Sequence, residues 1–424
     1  MERKIELFLE KWKTDILRKP LIIYGSKQIG KTFTVLNFGE KEYKNVIYIN
    51  TDNNLELLKL MKKENSTSKI IEFLKNFYNE PIIENDTLIV FDNLTSKDIA
   101  TKLKLFGSEK SKYHIIGITS KREKLSLFKS EELQFKGMNE IDFEEYLNIR
   151  GEKKLAEIIR KSYENKKTNP HHKLTLELFH EYLKTGGLPE VIYAKTDGKS
   201  DNELNAIKQK IIDIYKKEIS ENKTLIDISR GIEVLNSIPY QLKKENKKFQ
   251  YGLLGKGKRK KEYENAINYL YNNQLVYRSY KIKEVSSPLS SNKDTDSFKL
   301  FMPDNGLLYT MLNLNDNRFK KDELLKEALY ENYCAKTLAE QDISLYYYQS
   351  EGKAEVNFVI QNRQGQIIPI ELITKSNSKA KSLSVFMKKH ITLEGYRITE
   401  NNFQTKKNIR YIPIYASYCI TDSK

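Results

Sequence analysis

The sequence predicts an α/β protein that opens on a parallel sheet covered by helices on both faces, and three observations carry that prediction. The first is the loop Gly25, Ser26, Lys27, Gln28, Ile29, Gly30, Lys31, Thr32, which fits the spacing G-x-x-x-x-G-K-S/T. The second is its setting, because Leu21-Ile-Ile-Tyr24 reads as a short buried strand and Phe33-Thr-Val-Leu36 continues as the first turn of a helix. The third is the alternation of apolar, β-rich runs with amphipathic stretches through residues 1–148.

The strands expected in that region are Leu21–Tyr24, Val46–Asn50, Thr87–Phe91 and His114–Thr119. Short apolar runs bounded by polar segments suit central parallel strands. A strand that runs through a glycine loop into a helix points backbone N–H groups at a polyphosphate. Lys31 is then expected to reach the β- and γ-phosphates of ATP, and the Thr32 hydroxyl to ligand Mg²⁺. Leu88-Ile-Val-Phe-Asp92 supplies the second acidic element, an apolar strand that ends in a carboxylate for the same Mg²⁺. Asn93 follows where a general base is expected, and an amide can orient a water without accepting its proton. Asp98 and Glu84 are the nearby carboxylates that could stand in. Thr119-Ser120, at the end of the fourth strand, sits where a polar sensor of the γ-phosphate belongs, although both residues also suit a turn cap. The expected catalytic set is Asp92, Asn93 and Ser120.

Beyond Phe143 the chain changes character. Glu144–Ile149, Lys153–Tyr163 and Leu174–Leu183 read as helices, and Gly186-Gly-Leu-Pro189 ends the last of them. Asp197–Asn202 reads as a linker. Helices at Glu203–Ser220, Leu225–Leu235 and Lys260–Tyr271 precede a strand at Leu275–Ile282, a polar loop at Ser286–Ser297 and a returning strand at Phe298–Met302. That order is a winged-helix layout. A helix at Glu323–Glu340 and strands at Ser344–Tyr348, Glu355–Ile360 and Ile367–Ile373 follow, with Gln361–Gly365 as a hairpin turn.

Composition narrows the class. The chain has 424 residues, 39% of them hydrophobic, with 18 Phe and 27 Tyr, enough for real cores. No apolar run approaches the ~18–20 residues of a membrane-spanning helix. The opening Met-Glu-Arg-Lys lacks a signal peptide's apolar stretch. Cys334 and Cys419 do not suggest a disulfide framework, so a reducing cytoplasm is the expected setting. Lys and Arg number 73 against 57 Asp and Glu, a formal net charge of +16. Such an excess favours polyanionic partners, duplex DNA above all, although an AT-rich genome also enriches Lys, Asn, Ile and Tyr together. The basic runs Lys243–Lys248 and Lys256–Lys261 flank Phe249 and Tyr251. Lys247, Lys248, Lys256, Lys258, Arg259, Lys260 and Lys261 are the expected phosphate contacts, with a solvated loop as the plainer alternative.

The chain resembles a prokaryotic family of AAA-type ATPases with a C-terminal domain of unknown function. The matching segments are Lys19–Thr32, Val46–Asn50, Tyr182-Leu-Lys-Thr-Gly-Gly-Leu-Pro-Glu190, Glu245–Phe249, Pro303-Asp-Asn-Gly-Leu-Leu308 and Ile412–Tyr415. Asn93 and Lys27 stand where the family usually has Glu and Arg. The resemblance implies a P-loop ATPase core (1–148), a helical lid (149–197), a winged helix (198–312) and an α/β domain like restriction endonucleases (313–424). In that last domain Glu331, Asn357, Glu371 and Ile373 fall on the acidic residue, the Asp, and the Glu and Lys of a Glu-x-Lys pair. Two of the four are lost, so a damaged, inactive nuclease site is implied. A migrated site using Glu331, Glu355, Glu371 and Lys375 is the alternative. AAA proteins commonly complete their site with an Arg from a neighbouring subunit, for which Arg122, Arg150 and Arg230 are candidates in a homo-oligomer. The functional expectation is nucleotide-controlled engagement of nucleic acid with slow hydrolysis. The alternatives are a nucleotide-stabilised structural protein and an ATP-gated nuclease.

Overall fold

A computed structural model describes residues 3–108, 112–220, 228–350, 355–374 and 382–420. The chain divides into two compact units, Met1–Glu140 with Asn272–Gln274, and Ile141–Tyr271 with Leu275–Lys424.

The first unit holds a five-stranded sheet in the order β2-β3-β4-β1-β5. Its strands are β1 (Leu21–Tyr24), β2 (Asn45–Asn50), β3 (Thr87–Asp92), β4 (His114–Thr119) and β5 (Gln134–Gly137). Every neighbouring pair is parallel. All residues of β3 and β4 are buried, as expected of central strands covered on both faces. Helices Leu55–Lys63 and Thr67–Tyr78 send Leu57, Met61, Ile70 and Leu74 into the core with Ile89 and Phe91 of β3. The register sets Asn50 beside Asp92 and Tyr24 beside Thr119, so the carboxyl ends of the strands form one edge. Ligands of open α/β sheets bind outside that edge. β5 was not expected, because Gln-Phe-Lys-Gly is a half-buried edge strand with no apolar run.

The second unit carries an eight-stranded mixed sheet in the order β12-β13-β11-β10-β9-β8-β6-β7. Its strands are β6 (Tyr277–Ile282), β7 (Lys293–Phe301), β8 (Tyr346–Gln349), β9 (Glu355–Gln361), β10 (Ile367–Ile373), β11 (Gly395–Thr399), β12 (Gln404–Lys406) and β13 (Ile409–Pro413). The hairpin of β9 and β10 forms as expected, with Gln361 opposite Ile367. β6 and β7 make an antiparallel ribbon, and β6 also pairs in parallel with β8, so the ribbon is continuous with the C-terminal strands. The stretch expected to be a polar loop already enters β7 at Lys293. β7 lies at the sheet edge, where exposed polar residues can still pair through their backbone. The helix Glu323–Glu340 is the central helix of this unit, buried from Ala328 to Leu338. The expected linker is a tight turn, with one helix ending at Thr196 and the next starting at Asp201. Within the expected helix Leu225–Leu235, residues 225–227 lie outside the described residues, and the described part runs from Ile228 to Leu242. Among the described residues no helix is long and apolar enough to cross a membrane.

Candidate functional site

The glycine loop leaves β1 and enters the helix Lys31–Glu42. A Cβ on Gly25 would lie 2.2 Å from the Met138 carbonyl oxygen, so the first loop position excludes any side chain. Gln28 and Gly30 take the left-handed conformation, with φ of 66° and 84°. These dihedrals curl the loop over the helix start, the geometry of an anion-binding backbone nest. Ile29 is wholly buried, and its carbonyl accepts a hydrogen bond from Arg3 Nη1 at 3.3 Å. Arg3 Nη2 donates to the Asn139 carbonyl at 2.8 Å, so one buried guanidinium ties the loop to the segment after β5. Nothing local in the sequence marks Arg3 for this role.

Lys31 Nζ donates to the carbonyls of Gly25 (3.0 Å) and Ser26 (2.6 Å), holding the ammonium across the loop mouth. Thr32 Oγ1 donates to Asp92 Oδ2 at 2.7 Å. The same oxygen accepts from the Tyr48 hydroxyl at 2.9 Å, and Asp92 Oδ1 accepts from the Asn93 amide N–H at 2.8 Å. Burial, then the Asp92 carboxylate, pushes the Tyr48 hydroxyl up to about 12, which keeps it a donor. Thr32 and Asp92 thus form a hydroxyl–carboxylate pair at the loop, the donor set that suits Mg²⁺. A backbone nest, an ammonium at its mouth and this pair fit a nucleoside triphosphate with its metal.

Around that pair the side chains are amide-rich. Asn93 has φ 56°, and its Nδ2 donates to Asn50 Oδ1 at 3.4 Å. The two amides cap the ends of β2 and β3 where a base would act. Asp98 is exposed and pairs with Lys62 at 2.9 Å. Glu84 precedes the opposite end of β3 and pairs with Lys112 at 2.9 Å, so it stands a strand's length from Asp92. β4 does lie between β1 and β3. Its last residue, Thr119, accepts through its carbonyl from Gly25 N–H at 3.3 Å and through Oγ1 from Lys121 N–H at 3.1 Å, a turn-capping bond. Ser120 follows, half-buried, at the same sheet edge. Arg122 lies over the Tyr24 ring at 5.7 Å, Arg150 pairs with Glu181 at 3.2 Å, and Arg230 donates to the Glu262 carbonyl at 2.8 Å.

In the second unit, the three polar residues matched to a nuclease site, Glu331, Asn357 and Glu371, are each held by a neighbour. Glu331 is fully buried and pairs with Lys299 (2.7 Å) and Lys247 (3.1 Å), while Asn357 Nδ2 donates to it at 3.2 Å. Burial alone would raise its pKa, but the two ammonium groups overcome that and hold the carboxyl well below the usual range. Lys299 also binds Glu355, and Lys247 also binds Glu327. Glu371 is joined to Arg397, directly opposite on β11, by bonds from Nε (2.9 Å) and Nη2 (2.7 Å). Ile373 ends β10, and Lys375 lies outside the described residues. Among the described residues no three His, Cys, Asp or Glu side chains stand together to hold a metal.

The basic runs divide. Lys256, Arg259 and Lys261 are exposed, and none of them has an ion-pair partner among the described residues. Lys258 lies 3.8 Å from Glu233, and Lys260 pairs with Asp296 at 2.5 Å. Lys248 is half-buried. Lys247 is turned inward onto Glu331, away from any solvent-facing phosphate, and is buried as Phe249 is, with the half-buried Lys248 between them. A period-two reading of that segment would have found it.

Residues 17–147 match a family described as AAA domain. Residues 176–318 match a domain of unknown function (DUF8612), and residues 326–417 match another (DUF4143). The first unit's parallel sheet and glycine loop therefore lie in the segment that is similar to the AAA domain, and a mixed-sheet unit follows it. No curated protein matched the chain. Among solved structures, a Walker-type ATPase of Pyrococcus abyssi is similar at 12% identity over 73% of this chain and 95% of that one, with a TM-score of 0.43.

Proposed function

We propose that the chain binds ATP with Mg²⁺, hydrolyses it slowly, and uses the nucleotide to control engagement of nucleic acid. The observation that carries the reading is the Thr32–Asp92 bond at 2.7 Å beneath a glycine loop whose mouth holds Lys31. Lys31 and the loop N–H groups would hold the phosphates, and Thr32 with Asp92 would hold the metal. Bound Mg²⁺ supplies charge neutralisation at the phosphate oxygens. The paired amides of Asn93 and Asn50 support slow turnover, since neither can take a proton from water.

The exposed Lys256, Arg259 and Lys261, beside Lys258 and Lys260 at the start of the helix Lys260–Asn272, support a duplex-facing surface in a winged-helix segment. Lys299, Lys247 and Arg397 fill with protein cations the charge that a nuclease would give to metal, which supports an inactive nuclease relative. That charge closure also favours the second reading, a nucleotide-stabilised interaction protein in a cytoplasmic assembly.

ATP binding and turnover by the purified protein, with and without duplex DNA, test these readings. We expect ATP–Mg²⁺ binding that is lost in Lys31→Ala, turnover well under ~1 per second, and duplex affinity that falls steeply with salt. Equal ATP affinity in Lys31→Ala overturns the nucleotide site. Duplex affinity and salt slope unchanged on neutralising Lys256, Lys258, Arg259, Lys260 and Lys261 together would leave the second reading.

A further inference from the structure

A cavity of about 990 Å³ opens in the second unit, lined by the helices His172–Thr185, Pro189–Thr196, Asp201–Ser220 and Asn305–Met311 and the segment 313–318. It adjoins the Tyr182–Glu190 and Pro303–Leu308 segments, which the nucleotide site does not use. Its wall carries four cations, Lys184, Lys195, Lys208 and Arg318, against two carboxylates, Glu181 and Asp201. Glu181 is already engaged by Arg150 at 3.2 Å and Lys195 at 4.0 Å. Lys195 also lies 3.9 Å from Asp201, and with four cations against two carboxylates the formal net charge of the wall is positive.

Lys208 is the unusual member. It is only 3% exposed, yet among the described residues no carboxylate lies within 4.0 Å of its ammonium. Its Nζ donates to the Lys184 carbonyl at 3.0 Å and lies 5.6 Å from the centre of the Tyr309 ring. The nearby Asp304 carboxylate is committed to backbone N–H groups of Gly187 (2.6 Å) and Leu307 (2.9 Å). Burial lowers the Lys208 pKa to about 8; Asp304 and Asp201 oppose that shift, and Lys184 and Lys195 add to it. A buried ammonium without an anion is costly, and an anionic guest would remove that cost. Tyr309, Leu204 and Leu314 add a little apolar surface to a lining that is mostly polar and charged.

We propose that this cavity binds a small phosphorylated ligand, its phosphate seated against Lys208, with Lys184, Lys195 and Arg318 around it and its body along Tyr309. A purely structural Lys208, capping the helix that ends at Thr185, is the competing role. Calorimetric titration of inorganic pyrophosphate into the full chain carrying Lys31→Ala, which silences the glycine loop, separates the two. The site predicts saturable one-to-one binding that weakens at least ~10-fold on adding either Lys208→Met or Arg318→Gln, a loss typical of a charged hydrogen bond. No saturable binding overturns the proposal, as does affinity unchanged by both substitutions or reduced by Arg318→Gln alone. If Lys208→Met does not fold, the exposed Arg318→Gln decides: a tenfold loss supports the site and an unchanged affinity overturns it.

Discussion

Asp304 Oδ2 accepts the backbone N–H of Gly187 at 2.6 Å, joining two segments 117 residues apart. Its other oxygen accepts from Leu307 N–H and caps the helix Asn305–Met311. One buried carboxylate therefore ends one helix segment and starts another. Close approach makes this arrangement possible. A Cβ on Gly186 would lie 2.3 Å from Asp304 Oδ1, and one on Gly306 would lie 2.4 Å from the Thr185 carbonyl oxygen.

Gly186→Ala should therefore be strongly destabilising. It adds a clash with a buried carboxylate to left-handed strain at φ +80°. Gly198 has the same φ with nothing within 4 Å, so Gly198→Ala reports a positive-φ cost without a clash, whereas Gly186, at ψ −173°, lies in a region essentially restricted to glycine. The strain alone costs about 1–2 kcal/mol, and the clash should take Gly186→Ala to roughly 3–5 kcal/mol. Urea unfolding of the two variants checks this, and equal losses would mean that the Asp304 contact adds nothing.

The buried cluster at Glu331 makes a second prediction. Lys299→Met removes one of the two ammonium groups that hold Glu331 and the partner of Glu355. Breaking a buried pair on one side costs about 3–5 kcal/mol, because a charge is left uncompensated. Adding Glu331→Gln to Lys299→Met should recover part of that loss in denaturant melts. A Lys299→Met protein as stable as the parent would mean that the cluster is not held by charge.

His114, at the start of β4, sets an acid limit on the first unit. Its Nδ1 is bonded to the Tyr43 hydroxyl at 2.6 Å, and its ring meets Trp12 and Tyr43 edge-on. Burial first, then Arg18 and Lys13, lowers its pKa to about 4 from 6.5. Between those values the unfolded chain binds the proton and the folded chain does not, so stability rises with pH in that window. Stability is fully present above pH ~6.5 and is lost as pH falls toward 4. Allowing for solvent screening, the loss is on the order of 2 kcal/mol. Chemical denaturation at pH 7 and pH 4.5 should show a smaller acid loss for His114→Gln than for the parent. Identical losses would assign the acid sensitivity elsewhere.

The geometry of the proposed nucleotide site was largely legible because its residues are local in sequence. Gly25 to Thr32 is one continuous loop, and Asp92 ends an apolar run that can only be a buried strand. The helix Glu323–Glu340 and strands β1, β4 and β10 were legible for the same reason, each being a periodic or apolar run. β5, β11, β12 and β13 were not: β5 and β12 have no buried residue to betray them, and β11 and β13 are five-residue runs each interrupted by an arginine. The cations at the nuclease-like residues were also hidden. Lys299 lies 32 residues from Glu331 and Arg397 lies 26 from Glu371; helix-on-sheet packing brings the first pair together and strand pairing the second. Arg3 meets Ile29 in the same long-range way.

Asn93 should limit turnover, and the argument is one of proton chemistry and backbone shape. The attacking water must lose its proton as it adds to phosphorus, and a positioned base typically contributes ~10²–10⁴-fold. Asn93 cannot take that proton, and its amide is turned toward Asn50. Asp92 is separately held by Thr32, Tyr48 and the Asn93 N–H, so nucleotide affinity should not depend on the Asn93 side chain. Asn93→Glu should raise turnover at least ~10-fold without tightening ATP binding, the lower figure allowing for imperfect placement. The backbone adds a cost, since φ is 56° there and a Glu in that conformation loses about 1–2 kcal/mol. Asn93→Asp, better suited to left-handed backbone, separates strain from chemistry. Single-turnover hydrolysis beside equilibrium ATP binding reads both effects. A parent that already turns over rapidly would refute the argument, because another group would then be the base. A gain in rate that came only with tighter binding would refute it as well, by placing the effect in the ground state.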